Sequence, residues 1–136
     1  MERNNILIDH TLIIDELERS IKFSHWNSIL SFLPKGSYLV GGYIRDIVLK
    51  RVTEKIDVDI VVPSNAIEIG KMISENIKSK FIILDKEREV VRIILNHISI
   101  DIANQISSTI EGDLCSRDFS INSIAFLFDK KLLFDP

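Results

Sequence analysis

Ile56-Asp57-Val58-Asp59-Ile60-Val61-Val62 is the stretch on which the reading of this chain turns. Apolar residues alternate with two aspartates, the pattern of a half-buried strand. Side chains at i and i+2 of a strand share a face. Asp57 and Asp59 therefore point the same way, while Val58, Ile60 and Val62 enter the core. Two carboxylates a few Å apart repel each other unless a cation lies between them. Mg²⁺ prefers oxygen ligands and often takes one or two carboxylates together with phosphates. A solvated strand face gives the same D-x-D pattern, so the pattern alone does not make a metal site.

Downstream, Ile98-Ser99-Ile100-Asp101-Ile102 alternates in the same way and puts Asp101 on the polar face of another strand. Neighbouring strands lie about 4.8 Å apart. Three carboxylates on one sheet face, Asp57, Asp59 and Asp101, would form the ligand set of a two-metal phosphoryl-transfer site. An exposed edge aspartate is the plain alternative for Asp101. Upstream, Leu39-Val40-Gly41-Gly42-Tyr43-Ile44-Arg45-Asp46 reads as a strand, two glycines and a helix start. Amides at a helix N-terminus bind phosphate, and glycine lets the phosphate approach the backbone. Arg45 could aim its fork of donors at phosphate or pair with Asp46. A tight turn with a helical ion pair also fits. In Ser116-Arg117-Asp118-Phe119-Ser120-Ile121-Asn122, an Arg, an Asp and an Asn on one rim could read a triphosphate and a ribose hydroxyl. A capped surface helix is the alternative.

Around these segments the spacing predicts an amphipathic helix over 9–33, ended by Pro34-Lys35-Gly36, and a strand over 37–40. A short helix follows over 43–51, then a second over 65–79 with Asn65 as its N-cap. Strands are expected over 81–84, 87–95 and 97–102, the last two joined by a turn at Asn96-His97. A polar loop is expected over 104–113, a helix over 117–128 and a final strand over 132–134. Helices and strands alternate early and strands pair later. That order predicts an α/β (α+β) domain, a mixed sheet with helices packed on one side.

The 136 residues suit one domain with one core. A formal net charge of −3 excludes a protein that grips nucleic acid with its whole surface. The lone Cys115 permits no internal disulfide and reads as an inert thiol in a reducing, cytoplasmic compartment. No stretch approaches the roughly 18 apolar residues of a membrane span, and no secretory signal follows Met1. The chain ends at Asp135-Pro136 without a polar tail, which reads as a cut or as a domain expecting a partner.

Together the segments resemble the class II tRNA nucleotidyltransferase (CCA-adding enzyme) and bacterial poly(A) polymerase family, head domain, within the DNA polymerase beta-like superfamily. The resemblance rests on LVGGYIRDIVLKRVTEKIDVDIVV at 39–62, DIANQ at 101–105, EGDLCSRDFSINSIAF at 111–126 and FDP at 134–136. It implies a DNA polymerase beta-like nucleotidyltransferase fold over 1–136, with neck, body and tail domains absent. It implies metal-binding and catalytic roles for Asp57 and Asp59, with two Mg²⁺ ions, and more loosely for Asp101. Gly41, Gly42, Arg45 and Asp46 would lie at the metal and triphosphate site. Arg117, Asp118 and Asn122 would contact the nucleotide. The implied reaction is template-independent addition of CMP or AMP to tRNA 3′ ends from CTP or ATP, without a membrane. Ser116 stands where the family often has a first arginine, Ser123 where it has alanine, and Asn104-Gln105 where an arginine often follows Asp101.

Three readings stay open. The chain is the head of a CCA-adding or poly(A)-adding enzyme. It is a stand-alone nucleotide-binding or docking module, inactive without a separate neck and body. Or it is a minimal nucleotidyltransferase acting on a protein or small molecule. His10, His25 and His97 lack ligand spacing and read as structural or exposed. Trp26 reads as core. Lys50, Arg51 and Lys55 form a small basic run at a turn. Arg88 and Arg92 straddle a strand, and the sequence leaves open whether Arg92 reaches the carboxylate face.

Overall fold

The computed structural model describes residues 15, 26–41, 43, 46, 55–109, 112–113, 125–129 and 132–134. Two helices are described, α1 (Trp26–Phe32) and α2 (Ala66–Ile77). The strands are β1 (Tyr38–Val40), β2 (Ile56–Val62), β3 (Lys80–Asp85), β4 (Val90–Leu95), β5 (Ile98–Asn104), β6 (Ala125–Leu127) and β7 (Leu132–Phe134). They form one seven-stranded sheet in the order β3-β4-β5-β2-β1-β6-β7. β2 and β5 run parallel; the other neighbours are antiparallel. The expected mixed sheet is present.

Alternation sets the layers. Ile56, Val58, Ile60 and Val62 of β2 share a core with Ile98, Ile100 and Ile102 of β5 and Val91 and Ile93 of β4. Ile29 of α1 and Ala66, Ile73 and Ile77 of α2 close over the same core, so both helices pack on one side. Gly70 sits where α2 crosses β4: a Cβ there would lie 2.5 Å from Val91 Cγ2. Only a glycine lets helix and strand approach this closely. A smaller cluster, Tyr38, Val40, Val61, Ala125 and Leu127, covers part of the opposite face.

Several expectations need correction. The helix expected over 117–128 is not helical at its end, because Ala125–Leu127 is strand β6, buried between β1 and β7. A short, wholly apolar run has no period to tell strand from helix, and pairing on both edges settles it. Asn65 precedes α2 but does not cap it with its side chain; its backbone is left-handed, at φ 64. The first amides of α2 are taken instead by Asn104 Oδ1 (from Ala66 N, 2.9 Å) and Glu89 Oε1 (from Ile67 N, 3.3 Å). Asn104 therefore ends β5 rather than opening a loop. The segment expected as a polar loop over 104–113 holds the fully buried Asp113. Its carboxylate accepts hydrogen bonds from the Tyr38 hydroxyl at 2.5 Å and from Ile106 N at 2.7 Å. The helix expected over 9–33 is seen at Asp15 and over Trp26–Phe32; the rest of 9–25 lies outside the described residues, as does the side chain of Trp26. The hairpin turn at Asn96-His97 is present, with Asn96 at φ 57.

Candidate active site

The face of the sheet away from the helices carries a row of residues directly opposite one another. Val40 of β1 pairs with Asp59 of β2, Asp59 with Asp101 of β5, and Asp101 with Arg92 of β4. Asp57 lies two residues back along β2, beside Ser99. The three carboxylates thus share one face, as the alternation predicts. Asp57 is exposed, and Asp59 and Asp101 are half-buried.

β1 stops level with Asp59 and turns away at Gly41, whose φ is +89. Side chains rarely adopt that backbone, and glycine does so freely. A Cβ on Gly41 would lie 3.1 Å from Asp59 Oδ2, so the missing side chain lets the turn sit against the carboxylate. Nothing of β1 extends beside Asp57. An open cavity of about 620 Å³ has Asp57, Asp59, Asp101, Arg92, Lys55 and His97 in its lining.

Arg92 is the residue that sequence reading left undecided. Its Nε donates to Asp101 Oδ1 at 2.7 Å and its second terminal nitrogen to Oδ2 at 2.9 Å. The fork holds both oxygens of one carboxylate. The hydrogen bond to Asp101, its charge, and then the charges of Asp57 and Asp59 hold the guanidinium above its ordinary pKa. Burial opposes them, by more than the charge of Asp57 or of Asp59 adds. Alternation in Val90–Leu95 was the available signal, since Val91 and Ile93 face the core and leave Arg92 on the carboxylate side.

The donor chemistry suits a hard divalent cation. Asp57 and Asp59 offer carboxylate oxygens to an open cavity, and Asp101 is engaged by Arg92. Among the described residues, no group of three or more His, Cys, Asp or Glu side chains is placed to hold a metal ion. A two-carboxylate arm open to further oxygen ligands matches the habit of Mg²⁺, which keeps waters and takes phosphate oxygens. Of the expected phosphate-binding residues, Gly41 lies against Asp59 and Asp46 is helical and half-buried. Gly42, Arg45, Arg117, Asp118 and Asn122 lie outside the described residues. Among the described residues, no helix is long and apolar enough to cross a membrane.

Comparison with known proteins bears on the fold and the family. The chain is 42% identical over 107 residues to a CC-adding tRNA nucleotidyltransferase of Synechocystis sp., covering 79% of this chain and 26% of that protein. It is 36% identical over 103 residues to a CC-adding tRNA nucleotidyltransferase of Geobacter sulfurreducens, covering 74% and 24%. The chain spans about a quarter of the length of the curated relatives it matches. Among solved structures, a CCA-adding enzyme in an apo form superposes with a TM-score of 0.72 at 29% identity, over 92% of this chain and 32% of that one. A tRNA nucleotidyltransferase complexed with a primer tRNA and an incoming ATP analog gives 0.60 at 30% identity, over 74% and 31%. The fold is the polymerase beta-like nucleotidyltransferase fold of the CCA-adding enzymes' head domain. A family model described as the poly A polymerase head domain matches residues 37–136, from the strand that leads into Gly41, across the row of carboxylates, to the end of the sheet, and the chain belongs to that family.

Proposed function

We propose that this chain is the catalytic head of an RNA nucleotidyltransferase that adds CMP or AMP to tRNA 3′ ends from CTP or ATP. The observation that carries the reading is the pair Asp57 and Asp59 on β2, both in the lining of an open cavity, with Gly41 turning against Asp59. Curated relatives described as CC-adding favour CTP as a substrate. The tRNA would be the acceptor, as in the solved relative that holds a primer tRNA.

Asp57 and Asp59 would hold Mg²⁺, with Asp101 as the third carboxylate of the site. Two such ions would supply activation of the attacking 3′-hydroxyl and neutralisation of the triphosphate. In the reaction the RNA 3′-oxygen attacks the α-phosphorus, the bond to the β-phosphate bridging oxygen breaks, and pyrophosphate leaves. The chain's own part is mostly positioning. Gly41 and Gly42, with the amides that follow, would cradle phosphate at a helix start. Arg45 would add charged donors and Asp46 would orient them. Arg117, Asp118 and Asn122 would contact the nucleotide. The three aspartates repel a triphosphate unless cations stand between them, so divalent ions and nucleotide should bind with positive coupling.

The test is Asp57→Ala combined with Asp59→Ala in the complete protein, followed by addition of labelled CMP and AMP to tRNA lacking its 3′ end. Loss of addition with unchanged thermal unfolding supports the proposal. Undiminished addition overturns it.

A further inference from the structure

We infer that the cavity beside the Asp57–Asp59 pair is the subsite for the acceptor RNA, and that Arg92, held by Asp101, binds the phosphodiester on the 5′ side of the RNA's terminal nucleotide. The inference deepens the proposed function and rests on it for the identity of the acceptor.

The two sides of the aspartate pair are built differently. On the β1 side the Gly41 turn stands against Asp59, where the phosphates of the incoming nucleotide are proposed to lie. The described lining of the cavity comes from the other side: it belongs to β2, β4, β5 and the residues at their ends, with none from β1 or β6. In an in-line displacement the attacking and leaving oxygens stand on opposite sides of the phosphorus. With the triphosphate at the glycines, the attacking 3′-hydroxyl comes from the cavity. A terminal nucleotide carries its phosphodiester one sugar away from that hydroxyl, so the cavity must also receive an anion. Arg92 and Lys55 bring positive charge to its lining.

Arg92 is presented for such a contact. Its Nε–H and one N–H of a terminal nitrogen go to Asp101, at 2.7 and 2.9 Å. A guanidinium has five N–H groups. Three remain, and among the described residues none of them meets a protein acceptor. Both oxygens of Asp101 are taken by the arginine, so the carboxylate fixes the plane of the guanidinium. A planar donor group fixed beforehand loses less freedom on meeting phosphate than a free side chain does. The Arg92 side chain is 41% exposed and lines the cavity, within reach of a phosphate that enters it. Pairing for stability alone gives a poor account of this contact, because half-exposed pairs add little to folding.

The test is binding of a labelled tRNA lacking its 3′ end to the complete protein, with Mg²⁺ and without nucleotide, read by fluorescence anisotropy. Arg92→Gln weakens binding by roughly tenfold, the scale of one lost hydrogen bond between charged groups. Arg92→Gln with Asp101→Asn, which leaves no bare carboxylate, loses as much. A neutral methylphosphonate in place of the terminal phosphodiester costs the parent the same factor and costs the Arg92→Gln protein nothing further. The slope of log affinity against log salt shrinks by about 0.7 in Arg92→Gln, as for one single-strand phosphate contact. A purely structural role leaves that slope alone. Thermal unfolding of Arg92→Gln stays close to that of the parent. Unchanged RNA binding by Arg92→Gln overturns the inference, as does parent affinity in the double variant or an equal methylphosphonate penalty with and without the arginine. A raised KM for CTP with RNA binding unchanged assigns Arg92 to the triphosphate and overturns it too. The binding measurements need no turnover, so failure of the underlying function shows separately, as undiminished addition by the protein carrying Asp57→Ala and Asp59→Ala.

Discussion

Asp57 and Val61 lie on the same face of the same strand and have opposite surroundings. Val61 is buried with Tyr38, Val40, Ala125 and Leu127, supplied by β1 and β6. Asp57 is exposed beside Ser99, with Asp101 and Arg92 further across β5 and β4. The boundary falls where β1 ends at Val40, opposite Asp59, and the chain turns off at Gly41. Alternation assigns a side chain to a face. Only tertiary structure decides whether that face is covered, as where Asp113 packs on Tyr38 beside Val61. The open end of β2 is the end that β1 does not reach.

Substitutions at the two ends should separate cleanly. Val61→Asp puts an unpaired charge into the covered end and should cost more than about 4 kcal/mol of stability, measured by urea unfolding. If that variant stays as stable as the parent, the covered end is wetter than its packing shows. Asp57→Val, the reverse exchange at the open end, should change stability by less than about 0.5 kcal/mol, since the site is exposed. It should nonetheless reduce nucleotide addition on the order of 10³-fold, the scale of several kcal/mol of lost charge stabilisation. Steady-state addition to tRNA reads the second effect, and full activity would refute it.

The helix-covered face gives an intermediate effect. Gly70→Ala should gain roughly 1 kcal/mol of helix propensity and lose about 1–3 kcal/mol to overpacking against Val91. Net destabilisation, seen as a lowered Tm, is expected because the added Cβ would meet Val91 Cγ2 at 2.5 Å. A raised Tm would mean that α2 can lift off β4. Arg92→Gln should have only a small effect on folding, about 0.2–1 kcal/mol, because the pair it breaks is half-exposed. The pH dependence has a definite sign. The Arg92 pKa is raised, so its stabilising charge is fully present below the ordinary arginine range and is lost only as pH rises through the folded value. The difference in stability between parent and Arg92→Gln that arises from arginine ionisation should therefore be constant from about pH 5 to 9.

Much of the fold was legible because its signals are local. β2 and β5 show clean alternation, α2 shows helical spacing from Ala66 to Ile77, and Asn96 adopts the left-handed backbone expected of a tight hairpin. Ala125–Leu127 fits a helix in the sequence because three apolar residues in a row carry no period, and the structure makes it a buried strand. Asn65 looked like a cap because its residue type suits one, yet Asn104 and Glu89 reach the α2 amides from across the fold. Asp113 looked like loop polarity, and its burial depends on Tyr38, far away in sequence. The D-x-D pair was readable from β2 alone. The Arg92–Asp101 fork was not, because it needs β4 and β5 in a particular register.

From the order of residues alone came the faces of the strands, the aspartates that share one of them, and the glycine turn that precedes them, since each depends on backbone geometry within a few residues. Tertiary structure decided that β5 lies parallel beside β2 with Asp101 level with Asp59, that Arg92 grips Asp101, and that one end of the face stays open. Those outcomes depend on which strands become neighbours and where each one stops, and burial of the apolar faces under α1 and α2 selects that arrangement for the sheet as a whole.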